Sequence, residues 1–176
     1  MVTRIPWFER KFVYPNPTGF YAETIERLRG TPARLEDRLQ TLPADVLLRR
    51  DGDKWSIQEH AGHLVSLEAL VQGRLADYAA GLATLRAADV TNRATHDANW
   101  SALSLDVVLT AFREARGGTV RTLDALEPDA FDQVARHPRL DMPMRLVDML
   151  EFQAHHDDFH LATISALIRA FAPAHV

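Results

Sequence analysis

Apolar positions recur at the 3.6-residue period of an amphipathic helix in four segments of the chain, with no strand alternation of any length and no internal repeat. The first segment runs from about Gly19 to Thr41 and aligns Ile25, Leu28, Leu35, Leu39 and Leu42. Gly30 and Pro32 interrupt it, so Pro32 either kinks one helix or takes the first position of a second helix capped by Thr31. The second segment starts at Ser56, an N-cap with Glu59 three residues on as a capping box. Its stripe is Ile57, Ala61, Leu64, Val71, Leu75 and Tyr78. The third starts near Ser104 and carries Leu105, Val108, Leu109, Phe112, Val120 and Leu123. The fourth runs from about Met142 to Phe171, with Leu146, Leu150, Leu161, Ile164, Ile168 and Phe171 on one face.

The connections set the expected topology. Residues Gly81 to Leu103 are polar and broken, and the stretch is long enough to run the length of a bundle. Helices two and three then run parallel, which predicts an all-α four-helix bundle of up-down-down-up order. An arm from Met1 to Thr18, with Pro6, Pro15 and Pro17, precedes it, and the 176 residues read as a single domain, 1–176.

Composition narrows the chemistry. Apolar residues make up 47% and charged residues 25%, a globular balance. With no cysteine, disulfides, thiolate metal sites and a cysteine nucleophile are excluded, and any thiol chemistry needs a thiol from outside. A formal net charge of -4 argues against nucleic acid as partner. No apolar run approaches the roughly 20 residues of a membrane span, and the N-terminus lacks a signal core, so the expected location is cytoplasmic.

The apolar face of the fourth helix is broken near its middle. At about 100° per residue, Gln153, Asp157 and His160 fall within roughly 40° of the inward direction, His156 lies roughly 80° from it, and His155 points the opposite way. Burying such groups is unfavourable unless they are paired or bound to a metal. His156 and His160 are spaced i, i+4 and share one face. His63, about two turns into helix two, lies roughly 10 Å below the top of the bundle, and His160 roughly 26 Å up a bundle about 36 Å long. The levels coincide, so His63, His156 and His160 are predicted to converge on one divalent metal ion with positions left open. Three histidines suit zinc, nickel or iron, and this geometry does not choose between them; the expected ion is zinc or nickel, with iron or manganese as alternatives.

At these residues the chain resembles the DinB/YfiT-like superfamily. Lys54-Trp55-Ser56-Ile57-Gln58-Glu59-His60-Ala61-Gly62-His63-Leu64 is similar to its KWSxxExxxHL signature, and His156-Asp157-Asp158-Phe159-His160-Leu161 to its C-terminal HDDxHL segment. Phe112-Arg113-Glu114-Ala115-Arg116 resembles its FRxAR pattern, and residues Leu28 to Glu36 resemble the first helix of one bacterial subgroup. The resemblance implies the same bundle, a triad of His63, His156 and His160, and frequent homodimers. It also implies relatives that act as thiol S-transferases with bacillithiol or mycothiol, or as a thiol-dependent isomerase. His60 departs from the pattern, standing where an apolar or amide residue is expected.

Further residues complete the expectations. Glu68 and Arg116 project inward at the same depth and are expected to form a core ion pair joined by Asp157. Asn92, Arg93, His96 and Asn99 lie in the part of the crossover that approaches the metal. His137 is read as structural, at the opposite end of the bundle, and His155 and His175 as surface residues. Trp55 is expected to pack at the start of helix two rather than bind a cofactor. The exposed aromatic candidates Trp7, Phe8, Phe12 and Tyr14 of the arm support a homodimer. Asp157 and Glu59 are the candidate general bases. The functional expectation is a metal-dependent enzyme acting on a small-molecule substrate, either thiol S-transferase-like with an external low-molecular-weight thiol or a hydrolase. The alternative is a non-catalytic metal-binding stress or interaction protein.

Overall fold

A computed structural model describes residues 4–172, so His175 lies outside the described residues. The first helical limb is two short helices, α1 (Tyr21–Arg29) and α2 (Thr31–Leu39), followed by a single turn, α3 (Ala44–Leu48). The long helices are α4 (Ile57–Ala79), α6 (Leu105–Asp124) and α7 (Leu146–Phe171), with the short α5 (Arg93–Asp97) inside the crossover.

Hydrogen bonds give the directions. Gln58 donates to the Leu103 carbonyl, Arg116 to Glu68, and Gln72 to Thr119. Contacts therefore advance together along α4 and α6, which are parallel. Tyr78 at the end of α4 donates to the Met144 carbonyl just before α7, so α4 and α7 are antiparallel. Arg27 pairs with Glu151 and Asp158, and Arg38 reaches Ser165, so the first limb runs with α7. The order is up-down-down-up, as the long crossover predicted.

The predicted helix starts hold at α4 and α6. Ser56 accepts from the Glu59 N–H while the Glu59 carboxylate accepts from the Ser56 N–H, closing the capping box, and Ser104 accepts from the Val107 N–H. Gly30, not Thr31, precedes α2, and Pro32 sits in its first turn. Thr31 spends its hydroxyl on the Arg27 carbonyl one turn back instead of capping.

The fourth helix starts later than its periodicity indicated. Met142–Arg145 is a strand, β2, paired antiparallel with β1 (Val134–His137). Each strand has four residues, too few for an alternation to stand out, and Met142, four residues before Leu146, continues the helical stripe. The hairpin is tied to the crossover, because Arg136 donates to the Ala83 carbonyl and Leu85 to the Arg136 carbonyl. This link carries residues 137–139 toward the interior.

The N-terminal arm also differs from expectation. Trp7, Phe12 and Tyr14 pack against the molecule's own core, and only Phe8 is widely exposed, at 67%. Trp7 and Phe12 meet the Phe152 ring of α7 at centroid distances of 5.1 and 4.9 Å. Arg4 donates to the Phe159 carbonyl and Thr163, fastening the arm along α7. These aromatics complete the monomer's core, which removes the residue-based argument for a dimer. Among the described residues no helix is long and apolar enough to cross a membrane.

Candidate metal centre

The two faces predicted to meet do so. One ring nitrogen from each of His63, His156 and His160 lies within 4.8 Å of the others, and all three residues are buried. The Nε2 atoms of His156 and His160 are 3.2 Å apart. Two imidazoles holding one tetrahedral ion at about 2.05 Å would place their nitrogens about 3.3 Å apart, so the spacing fits a shared ion.

Protonation agrees with that fit. Burial lowers the His63 pKa to about 3, with the neighbouring His156 and His60 rings adding to the effect. Burial lowers His156 to about 3 as well, assisted by Arg139 and Arg116, and holds His160 well below the ordinary value. All three rings are therefore neutral at pH 7 and offer lone pairs without first losing a proton. The buried Nδ1 of His156 has no hydrogen-bond partner among the described residues.

Outer contacts orient two of the rings. His63 Nδ1 lies 3.0 Å from Thr95 Oγ1, on α5 of the crossover. His160 Nδ1 lies 2.9 Å from His60 Nδ1. If Nε2 of His160 faces the ion, its Nδ1 carries the proton and donates to His60. Such a bond fixes tautomer and ring angle, a recurrent device around metal ligands. His60, one turn before His63, thus has a structural partner at the site, and burial lowers its pKa to about 4. Trp55 covers the cluster, its ring 4.8 Å from His63, 5.5 Å from His60 and 5.9 Å from His96.

The cluster faces a cavity of about 250 Å³. Trp7, Trp55, Leu67, Leu70, Phe152 and Phe159 give it apolar walls, while Arg74, His137, Arg139 and Gln153 give it polar ones. Of the four crossover residues singled out from sequence, only Asn92 reaches this lining. Arg93 is spent on an exposed pair with Asp97, and Asn99 adopts a left-handed turn with φ +46°. His96 contacts Trp55 from outside the lining.

Neither carboxylate considered as a base lines the cavity. Glu59 is occupied by Arg50 and the capping box. Asp157 is fully buried, accepting from Arg116 at 2.6 Å and from Gln153 at 3.0 Å. Arg116 also donates to Glu68 at 2.8 Å, and Thr119 completes the second carboxylate at 2.6 Å. Burial alone would lower the Arg116 pKa, but Asp157 and Glu68 outweigh it and hold it above its ordinary value. The expected core ion network is therefore present, and it makes no hydrogen bond to the three histidines.

His137 is the clearest reassignment. It was expected at the far end of the bundle, but the hairpin carries it into the cavity wall, where its ring lies 5.1 Å from Phe152. Arg74 was also overlooked. A signal for it existed, since it lies 11 residues after His63, three full turns later on the same helical face. His155, by contrast, points away from the cluster and binds Glu151 and Arg27, as its projection indicated.

Comparison with known proteins agrees with this architecture. The family model described as the DinB superfamily matches residues 27–164. No curated protein matches. Among solved structures, YfiT from Bacillus subtilis superposes with a TM-score of 0.73 at 20% sequence identity, covering 92% of this chain and 93% of its own. That protein is described as "a probable metal-dependent hydrolase with an unusual four-helix bundle topology".

Proposed function

The chain belongs to the DinB superfamily, and from that premise we propose that it is a metal-dependent hydrolase whose ion is held by His63, His156 and His160. The single observation that carries the reading is that the three buried, neutral imidazoles border a cavity rather than packed protein. The description of the YfiT neighbour supports hydrolysis over other outcomes. A divalent ion bound there supplies Lewis acidity, which lowers the pKa of a nucleophile such as water or a thiol.

The remaining chemistry belongs to the chain. His60 and Thr95 hold two of the rings in one orientation, so that loading a cation requires little rearrangement. With Nδ1 accepting from His160, His60 carries its proton on Nε2 and acts as a donor, not a base. Trp7, Trp55, Phe152 and Phe159 exclude bulk water and bind the apolar body of a substrate. A second reading, attack by an external thiol in place of water, draws on the absence of cysteine from the chain.

The two readings separate in one experiment. Metal-loaded protein is incubated with a panel of small esters and amides, first in water alone and then with low-molecular-weight thiols plus electrophiles. Turnover in water that disappears in His160→Ala supports the hydrolase. Turnover only with added thiol moves the assignment to S-transferase. Fully loaded protein that turns over nothing places the chain among non-catalytic metal-binding proteins.

A further inference from the structure

We propose that the cavity contains a second, anion-binding subsite formed by Arg74, His137 and Arg139, and that the substrate is a small apolar molecule carrying a carboxylate. The substrate class builds on the proposed enzyme; the subsite stands on its own geometry.

Three side chains on the cavity wall carry donors with no acceptor among the described residues. Arg74 is 4% exposed and forms no ion pair among the described residues. It donates only from Nε, to the Arg86 carbonyl at 3.2 Å. The nearby Asp77 carboxylate is committed to Arg86, with contacts of 2.7 to 3.2 Å. Arg139 likewise has no carboxylate partner among the described residues, and its Nη2 is buried without a hydrogen bond. His137 completes the set. Its Nδ1 accepts from the Leu140 N–H at 3.2 Å, which leaves the proton on Nε2, and that atom is buried with no acceptor. Two guanidinium groups and an imidazole N–H beside one another repel cations and are stabilised by an anion.

An unpaired buried guanidinium is unfavourable for folding alone, and proteins normally give such a group a carboxylate. Here no such acceptor is present among the described residues, and all three side chains line the cavity. Asp89, the one carboxylate among the described residues of the lining, does not fill the role. Its oxygens accept from the Thr91 N–H and hydroxyl and from the Arg93 N–H at the start of α5.

The subsite is coupled to the metal centre through Trp7. That ring lies 4.9 Å from the His156 ring, and the Arg139 Cζ lies 5.4 Å over it. Phe152 lies within the subsite, 5.1 Å from both the His137 ring and Arg139 Cζ, and packs on Trp7 at 5.1 Å. An aryl or alkyl acid fits this order of groups, with its carboxylate on the arginines, its apolar body on Trp7 and Phe152, and its far end toward the three histidines. Planar bidentate pairing with guanidinium favours a carboxylate.

The test uses phenylacetate as probe and phenylacetamide as its neutral isostere, with binding followed by tryptophan fluorescence and calorimetry. Phenylacetate is expected to bind at least about tenfold more tightly than the amide. Arg139→Gln and Arg74→Gln should each remove about tenfold or more of that preference while leaving metal content unchanged. Arg139 stands on the hairpin, so its variant folds even where Arg74→Gln does not. The decisive arm is His160→Ala. Carboxylate binding that persists there but fails in the arginine variants supports the subsite even if the metal-enzyme reading fails. Binding that is lost in His160→Ala and kept in Arg139→Gln puts the carboxylate on the metal and overturns the proposal, as does equal affinity for acid and amide.

Discussion

Arg116 Nη1 donates to the Leu28 carbonyl at 2.9 Å, across the bundle from α6 to α1. In an unbroken helix that carbonyl would accept from residue 32, but residue 32 is proline and has no N–H. The break between α1 and α2 therefore creates a buried acceptor, and the same guanidinium that neutralises Glu68 and Asp157 occupies it.

This arrangement makes Arg116 the most sensitive polar position in the core. Arg116→Met should destabilise the fold by about 3–5 kcal/mol, because two buried carboxylates and one carbonyl lose their donor. Urea denaturation of the metal-free protein gives the value. A loss below 1 kcal/mol would mean that the carboxylates protonate or find water without penalty.

Metal content distinguishes ligands from neighbours. Purified protein should bind about one equivalent of zinc, nickel or another first-row divalent ion. Alanine at His63, His156 or His160 should abolish binding, whereas His155→Ala should not. His60→Ala should weaken affinity about 10- to 100-fold through the lost bond to His160. Elemental analysis and competition titration read the unmodified protein and all five variants. Unchanged affinity in His60→Ala would show that the His60–His160 contact does not orient a ligand.

The metal-free protein should be labile to acid. Burial lowers His60 and His137 to about 4 and His63 and His156 to about 3 in the folded state, against about 6.5 unfolded. The unfolded chain then binds more protons between those limits, so stability rises with pH across that window. It is fully present above about pH 6.5 and is lost progressively as pH falls toward the folded-state values. Thermal melts between pH 7.5 and 4 check the sign, and a flat profile would refute it.

Gly62 permits a close approach that a side chain would block. A Cβ there would lie 2.1 Å from the Trp100 ring, whose indole donates to Ser66 at 2.9 Å. Gly62→Ala should push the crossover off α4 and cost about 1–3 kcal/mol. It should also weaken metal binding, since Thr95 on the same crossover holds His63. A variant with unchanged melting temperature and metal affinity would show that Trp100 can move freely.

Sequence by itself determined the long helices, their order and the convergence of His63, His156 and His160. These properties follow from periods and rises that repeat along a helix, so spacing in the chain converts directly into face and depth. The cap Ser56 was legible for the same reason, being a local hydrogen bond over three residues. Only the tertiary structure decided what surrounds the cluster. The β1–β2 hairpin is too short to show a period, and its link to residues 83–85 is what carries His137 and Arg139 into the cavity. The arm likewise has no periodicity, yet Trp7 forms a wall because it packs on Phe152 and His156 of a helix far along the chain. Helical order is written in neighbouring residues, whereas the walls of a cavity are assembled from segments whose proximity depends on packing between distant parts of the chain.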